Sequence, residues 1–159
     1  MMRLKRRVGA VSTVPAVIVV LFALASCTTP AVVFDVPEGF ARYVEDGRQA
    51  AISPEGVLVS AYRTENKPEQ SISFWTEAVE LQLTQAGYLL LAEGEFATPD
   101  GDGHFFEWMA PLGEEDWVYL TAFCVDGGSI GVVEAAGPYD IYNRYRERIR
   151  ESLRTVTIR

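Results

Sequence analysis

The sequence of 159 residues carries 14 basic and 22 acidic side chains, a formal net charge of −8 at neutral pH, one histidine and two cysteines. A surface that follows nucleic acid phosphates needs a basic stripe, so this acidic balance disfavours nucleic acid as a partner. The chain also lacks a phosphate-binding loop and a convincing catalytic triad, and we therefore predict no cofactor and no enzymatic activity.

The first 26 residues combine a basic cluster with an uncharged apolar run. Four basic residues between Arg3 and Arg7 precede a stretch from Val8 to Ser26 that contains no charged side chain, which is the layout of a secretory signal. The run ends in Leu24-Ala25-Ser26-Cys27 and resembles the lipobox of bacterial lipoprotein signals at all four positions. This resemblance implies cleavage before Cys27 and lipid attachment to the Cys27 sulfur.

Two other interpretations of this segment stay open. The apolar run is long enough to remain as a transmembrane helix, since about 18 apolar residues suffice to span a bilayer, or Cys27 is an incidental thiol after an ordinary cleavage site. With lipid on Cys27 the protein belongs to the bacterial cell envelope. Thr28 after the cysteine resembles the outer-membrane sorting choice, which predicts the periplasmic face of the outer membrane in a host with two membranes and the outer face of the cell membrane otherwise.

Removal of residues 1–26 makes the rest of the chain more acidic. That segment holds four of the 14 basic residues and none of the 22 acidic ones, so residues 27–159 carry a formal charge of −12. Cys124 then has no partner for an internal disulfide. Pro30, Pro37 and Gly39 indicate a short linker over residues 27–39 with a reach of about 45 Å at most, and residues 40–159 are predicted to form a single domain.

The domain begins with three predicted strands and a helix. Strands over residues 40–45, 49–53 and 57–63 are separated by turn signals at Asp46-Gly47 and Ser53-Pro54-Glu55-Gly56. The apolar period then becomes helical from Trp75 to Ala86. Ser71 or Ser73 is the expected N-cap, and Gly87 the expected left-handed residue that ends this helix.

Four further strands and a second helix follow. The strands are predicted over residues 88–96, 103–110, 116–125 and 129–136, with turn-rich connections that favour an antiparallel meander. Both alternating faces of Trp117 to Val125 are apolar, which indicates a strand covered on both sides. A helix over about residues 139–154 and a short edge strand over 156–158 complete the prediction. The expected fold class is α+β, an α/β/α sandwich with a mainly antiparallel sheet between two helices.

This order of elements resembles the Mog1/PsbP-like fold and the small bacterial lipoproteins that share it. The resemblance covers about residues 40–158 and implies a non-catalytic accessory or docking domain. It transfers no functional residue to this chain. It depends on packing and turn residues, namely Ser53 to Val57, Phe74-Trp75, Ala86-Gly87-Tyr88 and Ile130 to Gly137.

Two short motifs invite a chemical interpretation. Gly127 to Gly131 matches the G-x-S-x-G nucleophile elbow around Ser129, but the elbow needs a helix after the serine and a strand is predicted there. Asp100, Asp102 and His104 lie in a glycine-rich turn and are weak candidates for cation ligands, without the bidentate Glu that closes an EF-hand loop. A solvated hairpin turn is the competing interpretation of each. Cys124 is expected to be a buried apolar filler.

Two functions therefore remain, from different classes. The favoured one is a lipid-anchored accessory or binding module of the cell envelope that is not catalytic and docks a protein partner. The alternative is an envelope hydrolase or a small-ligand or metal-binding protein that uses the loop from Asp100 to His104 together with Ser129. A hydrogen bond from His104 to Ser129, or to an aspartate inside a concave pocket, would favour the alternative.

The basic residues of the domain are concentrated at its C-terminal end. Residues 141–159 contain six arginines and two glutamates, and the apolar stripe of the terminal helix predicts that Arg146 and Arg150 project toward solvent. They could then neutralise the acidic body and the helix dipole, or face anionic lipid headgroups close to the tether.

Overall fold

A computed structural model describes residues 29–110 and 115–159. The predicted signal peptide, Cys27 and most of the predicted turn over residues 111–115 lie outside these ranges. Within the described part, neither helix is both long and apolar enough to cross a membrane. The elements, in chain order, are β1 (Val32–Val33), β2 (Ala41–Glu45), β3 (Arg48–Ile52), β4 (Leu58–Glu65), α1 (Ile72–Gln85), β5 (Leu89–Thr98), β6 (Gly101–Ala110), β7 (Trp117–Asp126), β8 (Ser129–Pro138), α2 (Tyr139–Leu153) and β9 (Thr157–Ile158).

Seven of the strands form one antiparallel sheet with the order β2-β3-β4-β8-β7-β6-β5. Strands β1 and β9 pair in a separate two-stranded sheet. Two apolar layers cover the large sheet, one built with α2, β1 and β9 and the other with α1. The predicted α/β/α sandwich with a mainly antiparallel sheet is confirmed, and β5 and β2 are the two edges of that sheet.

Strand β7 shows why the sheet is covered on both sides. Leu120 and Val118 are fully buried in the α2 layer, whereas Phe123 is 3% exposed in the α1 layer. Because successive side chains of a strand point to opposite faces, a strand that is apolar at both phases requires two covers. Leu120 and Phe123 lie on opposite faces of β7, and the prediction that this strand is covered on both sides is confirmed.

Helix α1 begins and ends where local chemistry dictates. The Ser71 hydroxyl accepts a hydrogen bond from the Phe74 amide, and Gly87 has a φ of +89°. Amide-to-carbonyl bonds from Gly87 to Thr84 and from Tyr88 to Leu83 form a Schellman ending. The helix nevertheless contains no buried residue, and rests on the sheet through half-buried side chains. It is the more weakly attached of the two covers.

The turn between β5 and β6 is tighter than predicted. Thr98 pairs with Gly101, so only Pro99 and Asp100 connect the strands. Asp102 therefore belongs to β6 and not to the connecting loop. Gly101 has a φ of +135°, a conformation that L side chains rarely adopt. The two strands therefore remain paired up to the two-residue turn.

The packed part of the chain begins earlier than the predicted boundary at Phe40. Val32 is fully buried and Phe34 is 5% exposed, both within the α2 layer, and β1 pairs with β9. The segment predicted as a linker thus contributes alternating apolar side chains to the core. Val32, the first residue of this apolar core, lies only five positions after Cys27, a reach of about 18 Å at most for an extended chain.

Candidate binding site at helix α1 and edge strand β5

The residues of the predicted cation loop do not act together. Asp100 Oδ2 accepts a hydrogen bond of 2.6 Å from the Ile158 amide, on the α2 side of the sheet. Asp102 and His104 lie at alternate positions of β6 and line a cavity on the α1 side. In the described ranges, no group of three or more His, Cys, Asp or Glu side chains is arranged to hold a metal ion.

Ser129 is the first residue of β8, directly after a hairpin turn. It pairs with Asp126 across Gly127 and Gly128, and Gly127 has a φ of +51°. The nucleophile elbow requires a helix at that point. His104 lies opposite Phe123, further along the sheet, and no hydrogen bond joins it to Ser129 in the part of the chain that the structure describes. The arrangement expected of a hydrolase is therefore not present at these residues.

His104 sits at the wall of an acidic cleft between α1 and the β5–β6 hairpin. Its side chain is 13% exposed, and its Nε2 lies 3.7 Å from Glu93 Oε2 without a hydrogen-bond partner among the described residues. Glu95 is its direct neighbour across the ladder. The cleft has a volume of about 300 Å³, and its lining includes Glu77 from α1 and Asp102 from β6. This concentration of carboxylates favours positively charged groups.

Strand β5 presents a second unusual surface at the edge of the sheet. Leu89, Leu90 and Leu91 are 68%, 43% and 39% exposed, although they follow each other directly in the chain. The pairing with β6 is interrupted by a bulge between Leu90 and Ala92, so the regular edge runs from Ala92 to Thr98. Exposed apolar side chains beside an unpaired strand edge mark an interaction surface.

A buried ion cluster lies on the other face of β6. Glu107 is fully buried and accepts hydrogen bonds from Arg150 Nε at 3.0 Å and Nη2 at 2.8 Å. Tyr142 Oη donates to the same carboxylate at 3.2 Å, and Arg146 Nε lies 3.0 Å away without hydrogen-bond alignment. The prediction that Arg146 and Arg150 project toward solvent is wrong, because both turn inward to this carboxylate.

The pKa shifts in this cluster follow from burial and charge. Burial raises the pKa of Tyr142 well above its usual value, and the negative charge of Glu107 adds to the effect. Burial lowers the pKa of Arg150, but the hydrogen bond and charge of Glu107 outweigh it and leave that pKa raised. The cluster holds α2 on the sheet. It also engages the two arginine side chains that the lipid-facing interpretation places at the surface.

Cys124 is buried, as expected, at 1% exposure. Burial raises the pKa of its thiol to about 11, with the charge of Asp100 as a smaller contribution. A thiol with so high a pKa is a poor nucleophile at neutral pH. Its packing in the α2 layer accounts for the residue without a chemical role.

The α/β/α sandwich with this strand arrangement is a PsbP-like α+β fold. Among solved structures, it is similar to the solution structure of cyanobacterial PsbP (CyanoP) from Synechocystis sp. PCC 6803, with a TM-score of 0.54 at 9% sequence identity, over 81% of this chain and 87% of that chain. At this identity the similarity shows the fold alone. No protein-family model and no curated protein matches the sequence.

Proposed function

We propose that the protein is a lipid-anchored, non-catalytic accessory module of the bacterial cell envelope that docks a partner protein along β5. The bound segment of the partner would be extended, with apolar and basic side chains. The single observation that carries this proposal is the free edge strand whose exposed leucines run into an acidic stretch. No cofactor or metal is required for this function.

The chemistry of the β5 edge defines the segment that fits it. An extended peptide that adds to a sheet edge gains main-chain hydrogen bonds, and side-chain pockets determine which sequence is accepted. Leu89 to Leu91 offer apolar contact at the start of the strand, and Glu93 and Glu95 offer carboxylates beside the regular part of the edge. A partner strand with apolar residues at one end and Lys or Arg at the other matches both.

The tether supports the same function. With lipid on Cys27, the five positions to buried Val32 would hold the domain within about 18 Å of the bilayer surface. Two or three acyl chains at about 0.8 kcal/mol per buried methylene make release from the membrane negligible. A domain fixed this closely would meet partners that are themselves in or on the envelope membrane.

We expect mass spectrometry of the protein purified from bacterial membranes to show an N-terminus at Cys27 with two or three acyl chains. Replacing Cys27 with Ala removes the sulfur that accepts the lipid, so the acyl mass and the cleavage before residue 27 should both be lost. Thr28→Ala serves as the matched control and should keep the modification. An unmodified Cys27 in a membrane-free fraction would contradict the lipid anchor.

The docking surface is tested with the full chain in nanodiscs of zwitterionic lipid and a synthetic ten-residue peptide that carries Val residues at one end and Lys residues at the other. Hydrogen exchange should slow at the β5 amides from Ala92 to Thr98, and binding should weaken as salt is raised. Glu93→Lys should reduce affinity by about tenfold, because it places like charges together. Glu45→Lys makes the same charge change on the opposite edge strand β2 and should leave binding nearly unchanged.

Two results would contradict the docking proposal. Equal losses from Glu93→Lys and Glu45→Lys would mean that the peptide responds only to the overall acidic charge. Unchanged exchange at β5 with measurable binding would place the peptide elsewhere on the domain. The lipid anchor is tested separately, so either half of the proposed function can fail alone.

A further inference from the structure

A second cavity lies on the opposite side of α1 from the acidic cleft. Its volume is about 220 Å³, and its walls come from α1, β4, β7 and β8. Trp75 and Val79 close it from the helix, while Phe123, Ile130 and Val132 form the apolar floor on the sheet. The cavity exists because α1 rests on the sheet without burying any of its own residues.

The helix wall of this cavity is held in position by Asn66, which is 1% exposed. Trp75 Nε1 donates a hydrogen bond of 2.8 Å to Asn66 Oδ1. Asn66 Nδ2 in turn donates to the carbonyls of Gln70 and Gly127 at 3.0 and 2.8 Å. The indole is therefore fixed from the β4–α1 loop, and the cavity is formed before any ligand arrives.

One polar atom in the cavity lining is left without a partner. Thr121 is 8% exposed, and its Oγ1 has no hydrogen-bond partner among the residues described. Thr121 lies directly opposite Glu134 in the ladder, and the Oε1 atom of that carboxylate accepts hydrogen bonds from Tyr119 Oη at 2.6 Å and Tyr62 Oη at 3.2 Å. A buried hydroxyl without a partner costs free energy, which a ligand hydroxyl can recover.

We infer that this cavity binds a small uncharged aromatic alcohol, with its ring against Trp75 and Phe123 and its hydroxyl on Thr121 Oγ1. Size, polarity and charge support the assignment. An apolar cavity of about 150 Å³ accommodates benzene, so this larger one accepts a ring with a few more atoms. The apolar walls disfavour an ionic ligand, and the nearby carboxylates of Glu65 and Glu134 repel an anion.

The test uses p-cresol, with toluene as the probe that lacks the hydroxyl. Methyl NMR spectra of the full chain in lipid nanodiscs should show saturable p-cresol shifts at Val79, Ile130 and Val132. Thr121→Val should weaken p-cresol binding by about tenfold and leave toluene binding unchanged. Val79→Phe should fill the cavity and abolish binding of both compounds, whereas Leu81→Phe, at a position 60% exposed on the outer face of α1, should keep it.

Methyl spectra that match the wild type away from the cavity establish that each variant is folded. Absence of a saturable shift in the wild type, or unchanged binding in Val79→Phe, would overturn the site. Equal p-cresol affinity in the wild type and Thr121→Val would overturn the role of the hydroxyl. The site does not involve β5 or Cys27, so these outcomes are independent of the proposed docking function.

Discussion

Replacing Glu107 with Gln is expected to lower the free energy of unfolding by about 3 kcal/mol. The carboxylate is fully buried and is the shared partner of Arg146, Arg150 and Tyr142. Its removal leaves two guanidinium groups packed against the sheet without a buried counter-charge. We place the loss at the lower end of the range for broken buried pairs, because the arginine side chains remain 25% and 27% exposed.

The measurement is urea unfolding of the protein in mild detergent, followed by tryptophan fluorescence. Glu147→Gln is the matched control, because it removes the other carboxylate near Arg150, at 3.6 Å, from a side chain that is 78% exposed. An exposed pair of this kind is worth less than about 1 kcal/mol. Equal effects of the two substitutions would mean that Glu107 is not the counter-charge of the cluster.

A triple replacement separates the ion cluster from simple packing. If Glu107, Arg146 and Arg150 are replaced together by Leu or Met, no unpaired charge remains, and such replacements are often neutral or stabilising. We therefore expect the triple variant to recover most of the stability lost in Glu107→Gln. A triple variant less stable than the single one would show that the cluster contributes more than the avoidance of a buried charge.

The features that the sequence predicted correctly depend on nearby residues. The cap at Ser71, the left-handed Gly87 and the apolar faces of β7 are each determined within a few positions along the chain. The same holds for Asp46-Gly47, where φ values of +49° and +74° form the expected two-residue hairpin turn. Local chemistry therefore accounts for the elements and for the fold class.

The features that the sequence missed depend on distant residues. Glu107 and Arg150 are separated by 43 positions, so the inward turn of the arginine follows from how α2 lies on β6. The burial of Val32 likewise requires β9, at the other end of the chain. One signal was present for the first case, since Glu107 interrupts an aromatic strand and two arginines stand one helical turn apart.

The candidate binding surfaces could not be predicted for a related reason. In a meander from β5 to β8, both β5 and β8 have one unpaired side. Because β4 pairs with β8, only β5 remains at the edge of the sheet. The sequence records three consecutive leucines but not that they remain exposed. The cavity beneath α1 depends on how far that helix stands from the sheet, a distance that the apolar period does not determine.

Replacing Leu120 with Ala is expected to cost about 3 kcal/mol of unfolding free energy, since buried Leu-to-Ala changes cost about 2 to 5 kcal/mol. Leu120 is fully buried on β7, within the α2 layer. This strand is held between β6 and β8, so the backbone cannot collapse into the space that the lost side chain leaves. The cost therefore contains a cavity contribution in addition to the lost transfer free energy.

Leu81→Ala provides the comparison within the same chain. Leu81 is 60% exposed on α1, and Ala has the highest helix propensity, so its replacement should change stability by less than about 0.5 kcal/mol. Both variants are measured by urea unfolding under identical conditions. Equal stability of the Leu120 and Leu81 variants would contradict the central position of β7. Truncation of a leucine buried in a central strand should cost more unfolding free energy than truncation of an exposed one.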